Sequence, residues 1–348
     1  MQSKIRQFIL LMLAAGLVGV VQPAESQDLE QSEDFNKGGR TAFQFLKIGI
    51  GARQAGLGEA SIALVRDVNS VFWNPANIAA IESGEASFSY TRWLADMNYV
   101  SGAVGARWNG VGVFALSIAS LDYGDIPEAV VAGGQEGDGR TGASFSGGDL
   151  MVGLAYTREF TDRLAIGINL KMIRESLATG IDIASEHFVG TAGSFAFDVG
   201  TNYNLGYRGI RLSMAAQNFA GSVKWLGDDS DRIEGYDLPL IFRIGMSTHL
   251  VGGQDAFFDA GPDHRVALSA EAINTNDYSE RVNLGLEYTF TDFLSLRGGY
   301  RFNYAEGKWA AGVGLNPGVS GVALRLDYAY VHYEFLDAPH RFSVSMAF

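Results

Sequence analysis

The stretch Val282-Asn283-Leu284-Gly285-Leu286-Glu287-Tyr288-Thr289-Phe290 decides the fold. Its apolar residues (Val282, Leu284, Leu286, Tyr288, Phe290) alternate with Asn283, Gly285, Glu287 and Thr289. Strict period two describes a β-strand with one apolar face and one polar or small face. The run also has about the 9–11 residues that a tilted strand needs to cross a bilayer. The apolar face then meets lipid, and the face carrying Glu287 turns to a lumen.

The same period recurs in Leu164–Met172 and Val322–Tyr330. Working outward, strands are expected at 85–93, 98–108, 110–121, 148–160, 163–175, 192–204, 209–218, 239–250, 264–273, 280–290, 293–303, 308–316, 321–332 and 339–348. The count is about fourteen, and an even number suits a closed outer-membrane barrel. Pro127, Pro262 and Pro317 fall between these strands, and Pro239 and Pro339 fall on first residues. A missing N–H is tolerated at both kinds of position. Connections alternate between tight turns (Trp108–Gly110, Thr161-Asp162, Leu205–Arg208, Thr291-Asp292, Asn316–Ser320) and longer loops, notably Asp122–Gly147, Ser176–Thr191 and Ala220–Leu238. Bacterial barrels keep short turns in the periplasm and long loops outside. Val251–Asp263 breaks this trend as a long connection on the turn side.

Strand parity points Arg107, Lys171, Asp198, Arg211, Arg243, Glu271, Glu287, Arg297, Arg301, Arg325 and Asp327 into the lumen. Facing lipid at the midplane, each Arg or Lys would cost about 2–4 kcal/mol. Tyr156, Phe160, Tyr288, Phe290, Tyr300, Phe302, Tyr328 and Tyr330 sit near strand ends, where interfacial girdles form. The chain ends on an alternating segment closed by Phe348, a common ending for outer-membrane barrels.

The N-terminus reads differently. Lys4 and Arg6 precede an apolar run, Phe8–Val21, and Ala24-Glu25-Ser26 places small residues before a cut. Residues 1–26 are expected to be a secretory leader. Residues 27–84 are expected to form a periplasmic segment and a lumenal plug containing short helices, and 85–348 the barrel. Within Gly49–Ile81 the spacing of Gly49, Gly51, Gly56 and Gly58 matches no phosphate loop. These glycines mark backbone packed where side chains do not fit. Ala60–Arg66 reads as a short extended piece. Asn74-Pro75-Ala76 reads as a helix start, with Asn as cap and Pro at the first position of a helix over Pro75–Ile81.

The 348 residues carry a net charge of −13, which argues against a nucleic-acid partner. Cys is absent, so disulfides and thiolate metal sites are excluded. His187, His249, His264, His332 and His340 show no metal spacing, and there is no nucleophile elbow. No catalytic residue, metal or cofactor is expected. The acidic run Asp228-Asp229-Ser230-Asp231 with Glu234 and Asp237 lacks the spacing of a calcium loop and reads as solvated. The expected surroundings are bacterial outer-membrane lipid and lipopolysaccharide.

Gly51-Ala52-Arg53-Gln54-Ala55-Gly56-Leu57-Gly58, then Asp67, then Phe72-Trp73-Asn74-Pro75-Ala76, ahead of such a barrel, resembles the PorV/PorQ family within the FadL-like superfamily. Glu59 and Asn77 depart from the family pattern, standing where small residues are usual. The resemblance implies a non-catalytic component of type IX protein secretion that binds or shuttles the C-terminal signal domains of cargo. It would work with other secretion components, and the plug residues Gly51, Arg53, Gly56, Gly58, Asp67, Asn74, Pro75 and Ala76 would be structural or gating. The wider superfamily implies the alternative, a transporter of long-chain fatty acids or other hydrophobic small molecules.

Overall fold

A computed structural model describes residues 39, 41–129, 140–179, 182–183, 186–187, 190–223, 235–253, 255–319 and 322–348. The expected leader, nearly all of Gln27–Arg40 and the acidic residues 228–234 lie outside them.

Fourteen antiparallel strands form the wall. They are β1 (Gly84–Arg92), β2 (Asn98–Trp108), β3 (Gly112–Ala129), β4 (Arg140–Glu159), β5 (Leu164–Thr179), β6 (Thr191–Asn204), β7 (Arg211–Phe219), β8 (Ile241–Val251), β9 (His264–Thr275), β10 (Arg281–Phe290), β11 (Leu294–Phe302), β12 (Trp309–Leu315), β13 (Val322–His332) and β14 (His340–Ala347). Each pairs with its sequence neighbours, and β1 pairs with β14, so the sheet closes with no free edge. The terminal Phe348 completes the seam: Gly84 and Phe348 exchange both backbone hydrogen bonds at 2.9 Å.

Alternation is visible in burial. In β10, Leu284 and Leu286 are exposed while Asn283 and Glu287 are buried. The outer face of the wall is a continuous apolar surface, with Phe88, Leu116, Leu154, Leu170, Leu296 and Val344 among its exposed residues. This face meets lipid, and the chain is an outer-membrane protein. Aromatics collect at both ends of the wall. Phe114 packs on Tyr156 and Trp108 at the turn end, and Tyr300 packs on Phe302 and Trp309 at the loop end.

Several boundaries differ from the sequence reading. β3 and β4 extend far into the expected loop Asp122–Gly147, and β5 into Ser176–Thr191. Pro127 therefore lies inside β3, near its loop end, where the register with β4 slips between Pro127 and Ala129. An irregular ladder has no need of its missing donor. Pro239 and Pro339 stand just before β8 and β14 rather than on their first residues. The long connection after β8 folds back on the wall: Phe258 and Phe257 donate to the carbonyls of Leu250 and His249. Arg208, in the neighbouring turn, donates to the Ala256 carbonyl at 2.6 Å and stacks over Phe257.

Residues 41–81 fill the barrel and are almost wholly buried. They form short turns: Gln44–Lys47, Ala52–Gly56, Val68–Phe72 and Pro75–Ala80. Ala60–Arg66 is not extended. It turns back on itself, with Val65 donating to the Ser61 carbonyl at 2.9 Å. The apolar core lies between plug and wall, where Val68, Val71, Ile78 and Ile81 pack on Ala103, Val113, Ala115 and Ala155.

Candidate functional site: the plug and the chamber above it

The plug has no periodic pattern, so its shape depends on local capping. Asp67 caps Val68–Phe72: its carboxylate accepts from Asn69 N–H at 3.1 Å, and Ser70 Oγ accepts from Asp67 N–H at 3.3 Å. Asn74 caps Pro75–Ala80, accepting from Ala76 N–H at 3.1 Å and donating to the Thr201 carbonyl at 3.0 Å. Pro75 takes the first helical position, where no N–H is needed.

The glycines serve close approach. A Cβ placed on Gly56 would lie 3.0 Å from Gly312 Cα, and one on Gly285 would lie 2.6 Å from the Leu57 carbonyl. Gly58 sits at φ 62° with its backbone against Gly299. Plug and wall thus meet backbone to backbone, with glycine on both sides at Gly56–Gly312 and Gly58–Gly299 and on the wall side at Gly285.

Charge then pins the plug to the wall. Glu287 accepts from Arg53 through both oxygens, at 2.7 and 2.9 Å, and also from Arg297 Nε at 2.6 Å. Arg297 reaches on to Asp327 at 2.6 Å. Asp67 pairs with Arg325 at 3.0 Å and with Arg53 at 3.5 Å. Burial acts against the Arg53 charge, but the Glu287 and Asp67 carboxylates outweigh it and raise the pKa above the usual arginine value. Glu271 accepts from Arg243 at 2.7 Å and from the plug N–H groups of Ser61 and Ile62 at 2.9 and 3.2 Å. Arg107 donates to the carbonyls of Ile81, at 2.8 Å, and Ala79. Lys171 and Asp198 pair at 2.6 Å within the wall.

Of the eleven wall charges read from parity, ten are brought into these contacts or, for Arg301, into one with the plug residue Glu59 at 3.1 Å. Arg211 is the exception. It has no hydrogen-bond or ion-pair partner among the described residues. Both departures from the family pattern are partnered as well. Asn77 donates to the carbonyls of Ile62 and Val65 at 2.6 and 2.8 Å and accepts from Asn202 at 2.8 Å.

Above the plug lies a chamber of about 520 Å³, beneath the loop end of the wall. Its lining combines apolar residues (Phe45, Ile48, Trp93, Met97, Leu121), the cations Lys47, Arg243, Arg281 and Arg301, and the acids Glu59, Asp149 and Glu306. Arg281 is held between the rings of Tyr278 and Tyr304, at 4.3 and 4.4 Å, and its Nε has no hydrogen-bond partner. Burial and the nearby Glu59 carboxylate raise the Tyr304 phenol above its usual pKa. Arg341 is buried beside Trp93, with Nε and Nη1 unpartnered. The sequence reading did not place Arg281, Arg341 or the buried wall acids Asp149 and Glu175 among the lumen charges. Strand parity was the signal available for Asp149, Glu175 and Arg341, while Arg281 sits at a strand start where parity is weak. No cluster of metal-ligating side chains exists among the described residues.

Comparison with known proteins bears on this arrangement. The family described as "Type IX secretion system protein PorV" matches residues 31–222, more than half of the chain. No curated protein matches. Among solved structures, the Pseudomonas putida toluene transporter TodX superposes with a TM-score of 0.56 at 12% identity, covering 86% of this chain and 97% of that one. The Ralstonia pickettii toluene transporter TbuX gives 0.54 at 13% identity with the same coverage. A Pseudomonas aeruginosa FadL homologue gives 0.52 at 10%, covering 85% and 97%. At such identities the likeness is one of fold: a plugged outer-membrane barrel of FadL type. With the family match covering the plug and the first half of the wall, the chain belongs to the PorV family of type IX secretion system proteins.

Proposed function

We propose that this protein is a non-catalytic receptor of type IX secretion, binding the signal domains of exported cargo at its extracellular end. The observation that carries this is the pairing of a fixed plug with a chamber above it. Buried ion pairs and backbone contacts tie the plug to the wall around its circumference, which favours holding a partner over conducting one. The chamber offers that partner apolar lining residues and the Arg281 guanidinium, whose Nε has no hydrogen-bond partner. The test is binding of a purified type IX signal domain to the detergent-solubilised protein, with Arg281→Ala and Trp93→Ala as variants. Saturable binding weakened by either variant supports the reading. Absence of binding, together with absence of secretion components on co-purification from the native membrane, removes it.

A second reading, carriage of hydrophobic small molecules, is favoured by the apolar residues that line the same chamber. It requires wild-type protein to raise uptake of a labelled fatty acid or aromatic compound in a reporter strain. It also requires plug substitutions at Asn74 or Pro75 to change that uptake.

A further inference from the structure

The periplasmic floor of the barrel holds a second feature, independent of the extracellular reading. A cavity of about 100 Å³ lies under the plug, lined by Arg66 of the plug, Arg163 of the β5 turn, Arg211 of β7 and the amides Asn202 and Asn204. Most cations at this end are matched. Arg53, Arg297 and Arg325 share Glu287, Asp327 and Asp67. Arg265 is paired with Asp292, Arg163 faces Asp162, and Arg107 engages Glu159. Among the half-buried arginines here, Arg66 and Arg211 are left over. Both are half-buried, Arg66 acts electrostatically on Arg211, and neither has a hydrogen-bond or ion-pair partner among the described residues.

Two adjacent, partly desolvated guanidiniums with no hydrogen-bonded or ion-paired carboxylate are a costly arrangement in a chain of net charge −13, although Glu159 acts on Arg66 and Asp255 on Arg211 from beyond pairing distance. Burial lowers the pKa of Arg66 from its ordinary value, and the Glu159 carboxylate offsets this only in part. An oxyanion seated between them would accept several charge-assisted hydrogen bonds. The surroundings select its type. Glu159 and Asp162 also line the cavity and repel a dianion more than a monoanion. The space suits one small group carried inward on a short side chain.

We propose that this cleft binds the carboxylate of an aspartate or glutamate side chain on an acidic peptide presented from the periplasm. The full chain, purified in detergent, is titrated against fluorescein-labelled hexaglutamate, with hexaglutamine and inorganic phosphate as comparators. The expected result is saturable anisotropy for hexaglutamate only. Arg66→Gln or Arg211→Gln should weaken binding by about tenfold, from the loss of a charged hydrogen bond, and Arg211→Lys should retain most of it. Equal binding by the double Gln variant, equal binding of hexaglutamine, or tighter binding of phosphate overturns the proposal. If a variant fails to show the heat-modifiable mobility of a folded barrel, wild-type protein answers instead. Hexaglutamate should protect Arg66 and Arg211 from phenylglyoxal, read by mass spectrometry, and an unchanged modification rate at both overturns the site.

Discussion

Glu287 serves two arginines, one from the plug and one from the wall, so its loss is felt on both sides of their interface. Glu287→Gln leaves both guanidiniums buried with one charge fewer between them. Breaking such a buried pair costs about 3–5 kcal/mol, so the urea midpoint of the folded barrel should fall well below wild type. Neighbouring glycines give a sharper contrast. Gly299 lies against the Gly58 backbone, whereas a Cβ on Gly298 would meet nothing within 4 Å. Gly299→Ala should therefore cut the yield of heat-modifiable barrel strongly, while Gly298→Ala should leave it unchanged. At this scale the sequence was informative about direction but not about partners. Period two placed Glu287, Arg297 and Asp327 on one face. Nothing in the strand pattern specified that Arg53 would reach them, because that contact joins residues 234 apart.

The strands were legible because both faces declare themselves, lipid-facing by apolar residues and lumen-facing by small or charged ones. Errors fell where that contrast fades, in the polar outer reaches of β3, β4 and β5. The plug was legible only at its punctuation: Asn74-Pro75 gave a true start, while Ala60–Arg66 carried no period and was misread as extended. Its fixity is testable, because the chain is free of Cys. Ala52 N–H donates to Ser343 Oγ at 2.8 Å, so an Ala52→Cys, Ser343→Cys pair should cross-link on oxidation. Signal-domain binding should survive that cross-link within about twofold, whereas a plug that must move would lose function. The connection after β8 depends on Arg208, and Arg208→Ala should make residues 252–263 a preferred site of protease nicking in otherwise folded protein.

For the whole molecule, closure rests on the seam between Gly84 and Phe348. Deleting Phe348 removes that reciprocal pair and the last turn-end anchor, and the fraction of protein recovered folded in the outer membrane should drop severalfold. The wall is also uneven in height. β3, β4 and β5 run 18, 20 and 16 residues, while β11 and β12, on the far side, run 9 and 7. All the excess lies at the loop end, since the opposite ends of the three long strands are tight turns. A bilayer occupies only about 9–11 residues of a tilted strand. At about 3.4 Å per residue, β4 continues roughly 30 Å along its own direction past the lipid, and its neighbours flank it. The mouth is therefore a hood, tall at the back and cut low in front. A large visitor descending from above meets that hood, while one sliding along the membrane plane from the β11–β12 side meets an open threshold. On the proposed receptor reading, the barrel gives a visitor a compass bearing, with approach expected over the low quarter of the rim.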